Sequence, residues 1–91
     1  MNIYRIITPG TIHYIAAEND EEMRIMRYRH KVIPVQGCKI ISPKDYKYHT
    51  LKVIDKYSPE DSFTHGTEIE TTLDKIAFKI TGNMYISNGL I

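Results

Sequence analysis

The stretch Asn19 to Val32, NDEEMRIMRYRHKV, carries the strongest pattern in the chain and sets the expected architecture. Asn19 is a good N-cap and Glu22 stands three residues on, the spacing at which cap and glutamate each satisfy an orphan backbone N–H. Asp20, Glu21 and Glu22 fill the first turn and Arg29, His30 and Lys31 the last, so charge complements the helix dipole at both ends. An amphipathic helix is therefore expected. Ile25, Met26, Val32 and Ile33 follow i, i+1, i+7, i+8 spacing, and that arc is expected to pack inward. Arg29 falls within it and is expected to snorkel or to meet a carboxylate. Arg24, Arg27, Tyr28 and Lys31 share the opposite stripe, which puts three cations and a ring on one outward surface.

Working outward, the 91 residues suit a single domain over 1–91 that buries roughly 60 to 65% of its unfolded surface. Apolar residues make up 42% and charged residues 25%, the balance of a globular chain rather than a disordered one. No apolar run approaches the roughly 18 residues of a bilayer span, and the start MNIYRIITPG lacks a basic region followed by an apolar one. No membrane partner is expected, and the chain reads as cytoplasmic. Cys38 is the only cysteine, which excludes an internal disulfide and suits a reducing compartment. Beside Ile40 and Ile41 it is expected to be a small packed side chain.

The net charge of +1 says little, but its distribution says more. Between Arg24 and Lys56 stand nine basic and two acidic residues, whereas the remainder holds three basic and nine acidic ones. If sequence neighbours stay together in space, the molecule has a positive and a negative region, which favours oriented association with an anionic partner.

On either side of the helix the pattern is β. Asn2 to Thr8 and Thr11 to Ala17 are rich in β-branched and aromatic residues with Pro9-Gly10 between them, the signature of a hairpin. One face of its second strand carries Ile12, Tyr14 and Ala16, the other His13, Ile15 and Ala17, and neither is cleanly polar. His13 is expected at the surface or the edge of the core. Beyond the helix, Pro34 ends the helical pattern and Gly37 permits a bend. Lys39 to Ile41 reads as a short strand. Ser42-Pro43-Lys44-Asp45 looks like a helix start, but Tyr46 to Ile54 alternates at period two and is expected to be a strand. Ser58-Pro59-Glu60-Asp61 reads as a turn. Thr64 to Thr67 leads into a second helix from Glu68 to about Thr81, with Ile69, Leu73, Ile76, Ala77 and Ile80 on one face. Thr67 and Glu70 form its capping box, and Gly82 is its left-handed C-terminal residue. Met84 to Ser87 is a final short strand before an Asn88-Gly89 turn. The expected fold class is α+β, a small mostly antiparallel sheet packed against two amphipathic helices on one of its faces, with an N-terminal hairpin and two or three further strands.

Catalytic patterns are missing. His13, His30, Cys38, His49 and His65 are scattered singly, without the tight spacings of a metal site. Nothing local activates Cys38 as a nucleophile, and neither common phosphate-cradling glycine motif occurs. No cofactor, metal or catalytic residue is expected. Glu22 to Ile33, EMRIMRYRHKVI, is similar to the first helix of the acyl-homoserine-lactone synthases, matching at Arg29-His30-Lys31-Val32. Ile33 stands where that family has phenylalanine, and no two glycines stand close enough to cradle a cofactor pyrophosphate, so the chain is not assigned to it.

The expectation for function is a small non-enzymatic binding protein whose basic, tyrosine-bearing surface engages an anionic partner. Arg24, Arg27, Tyr28 and Lys31 form its centre, with Lys44, Tyr46, Lys47, Tyr48 and Lys52 as an extension. Cations suit phosphates and tyrosine stacks on unpaired bases, so RNA is the favoured nucleic acid and an acidic protein surface the other candidate. The alternative is a virus-encoded inhibitor or adaptor that occludes a host protein, a reading drawn from size alone.

Overall fold

Asn2–Thr8 (β1) and Thr11–Ala17 (β2) form the expected hairpin, paired in register from Asn2↔Ala17 to Thr8↔Thr11. Pro9 supplies a φ near −65° and Gly10 a φ of +78°, the combination a type II turn demands. The computed structural model describes residues 1–55 and 67–89, so the turn expected at Ser58 to Asp61 and the lead-in at Thr64 to Gly66 lie outside the described residues.

The fold is α+β. After the hairpin come α1 (Asp20–Arg29), β3 (Gly37–Ile40), a 3-10 helix (Pro43–Tyr48) and β4 (Thr50–Asp55). β5 (Thr67–Thr72), α2 (Leu73–Ile76), a 3-10 turn (Ala77–Lys79) and β6 (Met84–Gly89) follow. The strand order is β3-β1-β2-β6-β4-β5, every pairing antiparallel. Among the described residues β4 pairs with β6 at Leu51↔Gly89, which joins a four-stranded unit to the β4–β5 hairpin.

Both faces of the hairpin are apolar because both are covered. Tyr4, Ile6, Ile15 and Ala17 pack under Met23 and Met26 of α1 and under Val32. On the other side, Ile3, Tyr14, Ala16, Ile41 and Leu51 pack with Leu73, and Tyr46, Ile76 and Ala77 close that layer. The helices therefore lie on opposite faces rather than sharing one as expected. Each layer satisfies one buried tyrosine: the Tyr4 hydroxyl donates to Asp20 Oδ1 at 2.8 Å, and the Tyr14 hydroxyl lies 3.0 Å from His49 Nδ1.

The cap expected at Asn19 is present, its Oδ1 accepting from the Glu22 N–H at 2.9 Å. Asn83 ties this corner to the entrance of β6, accepting from the Glu18 N–H and donating to Glu22 Oε2, both at 3.1 Å. The helix is shorter than expected, because a C-terminal motif rather than Pro34 ends it. Lys31 adopts φ +57°, its N–H donates to the Tyr28 carbonyl, and the Val32 N–H donates to the Arg27 carbonyl. That pair of bonds is a Schellman motif with lysine where glycine is favoured. The break explains the inward arc. Helical periodicity stops at Arg29, so Met23 and Met26 make the seam, while Ile25 is 45% and Ile33 55% exposed and Arg29 points to solvent. Val32 is buried as expected, but by the turn rather than by the helix.

Four further expectations are corrected. The second helix begins at Leu73, because Thr67, Ile69, Thr71 and Thr72 are β-branched and pair with β4, from Thr50↔Thr72 to Asp55↔Thr67. Thr67 and Glu70 thus stand in a strand, Thr72 occupies the N-cap position, and Gly82 does not have a positive φ. Tyr46 to Tyr48 belong to the 3-10 helix that Ser42-Pro43 starts, and β4 begins only at Thr50. Asn88 and Gly89 continue β6 rather than turning. No helix among the described residues is long and apolar enough to cross a bilayer.

Two substitutions check this packing by urea unfolding. Leu73→Ala is expected to cost about 2 to 5 kcal/mol, as for a fully buried leucine under a helix layer. Lys31→Gly is expected to stabilise by about 0.5 to 1 kcal/mol, because glycine removes the Cβ clash of the left-handed conformation.

Candidate functional site

The sheet divides the expected surface in two. Arg24, Arg27 and Tyr28 ride on α1 over one face, while Lys44, Tyr46, Lys47 and Tyr48 belong to the 3-10 helix over the other. Lys31 follows α1 in its terminating turn. Lys52 belongs to β4, cross-strand from Glu70, so there the positive segment interleaves with the negative one.

Within the α1 group, Arg24 and Tyr28 are exposed, Tyr28 at 65%. Arg27 is half-buried, contrary to an outward stripe. Its guanidinium carbon sits 5.3 Å from the Tyr28 ring centroid, and its buried Nε has no hydrogen-bond partner among the described residues. Arg24 borders an open groove of about 410 Å³ between α1 and β3, shared with Tyr4, Asp20, Met23, Cys38, Lys39 and Ile40. Cys38 is exposed there, not packed. Burial pushes its thiol up, and the Arg27 charge works against that rise.

The opposite layer gathers more. α2 packs against the 3-10 helix, and Ile76 and Ala77 sit on the same core as Tyr46, so Lys75 of α2 and Phe78 and Lys79 of the 3-10 turn after it ride over the same core as Lys44, Lys47 and Tyr48. Tyr46 is half-buried in the core beneath, and burial raises its hydroxyl pKa, so it anchors the layer rather than the surface. Tyr48 is 72% and Phe78 76% exposed. Lys47 Nζ lies 5.2 Å from the Tyr48 ring centroid and Lys79 Nζ 5.8 Å from that of Phe78. None of Lys44, Lys47, Lys75 and Lys79 has an ion pair with a carboxylate among the described residues. Sequence reasoning missed Lys75, Phe78 and Lys79 by treating their segment as helix packing. The available signal was a ring beside a cation, as in Arg27-Tyr28 and Lys47-Tyr48.

Histidines link rings on both faces. His13 Nδ1 lies 2.8 Å from the Tyr85 hydroxyl and its Nε2 3.2 Å from Thr8 Oγ1, while His30 stacks on the Tyr85 ring at 4.9 Å. Among the described residues, no three His, Cys, Asp or Glu side chains gather as metal ligands. Comparison with protein families, curated proteins and solved structures finds no match for the chain.

Burial, then the charges of Arg5 and Lys39, holds the His49 imidazole below its ordinary 6.5, with Asp45 acting in the opposite sense. The folded state thus prefers neutral His49. Its contribution is complete above the unfolded value and is lost as pH falls from there through the lower folded value. Urea midpoints are expected to fall with pH across that window, and the slope is expected to flatten in His49→Gln.

Proposed function

We propose that this is a small non-enzymatic protein that binds single-stranded nucleic acid, RNA foremost, through the layer bearing Lys44, Lys47, Tyr48, Lys75, Phe78 and Lys79. One observation carries the reading: Tyr48 and Phe78 hold their rings in solvent, each with a lysine ammonium beside it. An exposed ring loses hydration cheaply when a base stacks on it, and base stacking contributes about 1 to 3 kcal/mol per ring. Adjacent ammonium groups meet phosphates and release counterions, which makes affinity salt-dependent. Unpaired bases are the targets that stacking reads, which favours single strands over duplex. The surface is built from the 3-10 helix, the four-residue α2 and the 3-10 turn after it, an irregular layer that suits a flexible strand. The cytoplasm, a reducing compartment, suits the exposed single Cys38.

The experiment is fluorescence anisotropy with a labelled oligouridylate of about 12 nucleotides, within the usual site size of a single-strand-binding module. Binding at low salt is expected. Tyr48→Ala and Phe78→Ala are each expected to weaken it about ten-fold, and Lys47→Gln to reduce the slope of log affinity against log salt by roughly 0.7. Absence of binding at low salt, or full affinity in the Tyr48→Ala, Phe78→Ala double variant, overturns the reading.

A further inference from the structure

The geometry points to a second binding site on the other side of the molecule: the open edge of β3 and the α1 flank above it receive an extended acidic segment of a protein partner, added as an antiparallel strand.

Among the described residues β3 ends the strand order, with β1 as its one neighbour in the sheet. The Ile41 N–H donates to the Ile3 carbonyl at 2.9 Å, and the register pairs Lys39 with Arg5 and Cys38 with Ile6. Antiparallel alternation then turns the N–H and C=O of Cys38 and Ile40 away from β1, toward the open edge. Their side chains share the Tyr4 and Ile6 face, which α1 covers, and both are exposed. An edge that alternates donors with acceptors is matched by another peptide backbone. A phosphate accepts only, and it leaves the two carbonyls unsatisfied.

The groove supplies the side-chain selection. Asp20, Arg24 and Arg27 stand at i, i+4, i+7 along one flank of α1. Asp20 is engaged by the Tyr4 hydroxyl, whereas Arg24 and Arg27 have no carboxylate partner among the described residues, and Arg27 Nε is buried without an acceptor. Tyr4, Met23 and Ile40 make the apolar part of the groove. In an added strand, residues i and i+2 face the groove together. A carboxylate opposite Cys38 meets the two arginines, and an aliphatic side chain two residues away lies against Ile40. A second copy of this chain does not fit, because pairing two β3 edges brings both sets of Lys39, Arg24 and Arg27 together.

The test is an NMR titration of the ¹⁵N-labelled full chain, under reducing conditions, with a blocked heptapeptide carrying Glu and Val alternately on one face and Thr on the other. The amides of Cys38 and Ile40 are expected to shift and to exchange more slowly with solvent. N-methylation of the groove-facing Glu and Val is expected to abolish binding, because those residues exchange hydrogen bonds with Cys38 and Ile40, whereas N-methylation of the Thr residues leaves it. Arg24→Glu is expected to weaken the peptide at least ten-fold while leaving oligouridylate binding unchanged, which separates this site from the lysine and aromatic layer. The proposal is overturned if the Cys38 and Ile40 amides do not respond, or if a peptide with Lys in place of Glu binds equally well. It is also overturned if either N-methylated peptide pattern behaves like the other, if oligouridylate displaces the peptide from these amides, or if the chain alone dimerises through them.

Discussion

A hairpin that is apolar on both faces cannot stand at the surface, and the rest of the molecule answers that constraint. β1 and β2 present Tyr4, Ile6, Ile15 and Ala17 to one side and Ile3, Tyr14 and Ala16 to the other. One layer would leave the second face in water, so α1 covers the first and the 3-10 helix with α2 covers the second. The two tyrosines make the arrangement specific as well as favourable. A buried hydroxyl without a partner costs about 1 to 3 kcal/mol. Asp20 comes from one layer and His49 from the end of the other, so displacing either layer strands a hydroxyl.

This three-layer arrangement also decides which charges can act together. Cations close in sequence, from Arg24 to Lys47, are divided by the thickness of the sheet, those of α1 over one core and those of the 3-10 helix over the other. Each face nevertheless completes a set of its own. Over the second core, the packing of α2 on the 3-10 helix adds Lys75, Phe78 and Lys79 to Lys44, Lys47 and Tyr48. Over the first, Arg24 borders the groove beside the terminal strand of the sheet, and the Arg27 charge acts on Cys38 of that strand. Two chemistries follow from one topology: rings and ammonium groups on an irregular layer, and a backbone edge beside guanidinium groups.

Where local chemistry suffices, the sequence is legible. β-branched runs around Pro9-Gly10 mark the hairpin to its end residues, and Asn19 caps α1 as its spacing to Glu22 implies. The lack of a polar face in β2 agrees with a sheet covered on both sides, although the expected arrangement has both helices on one of them. Periodicity misleads where a stretch satisfies two templates. Ile69 falls in helical phase with Leu73 and Ile76, yet Thr67 to Thr72 is also an alternating β-branched strand, and pairing with β4 decides between them. Similarly, Val32 and Ile33 continue an apolar arc that the turn at Lys31 has already broken.

Amino-acid order alone determined the α+β class, the hairpin, the N-terminus of α1 and the presence of basic residues beside aromatic ones, because each depends on neighbours a few residues apart. Tertiary structure alone decided that Tyr46 anchors while Tyr48 is exposed, that Phe78 joins the lysines, and that Cys38 and Ile40 line an open edge. These follow from strand order and from which face each layer covers. Both are set by contacts between residues tens of positions apart, whose free energy no local pattern contains.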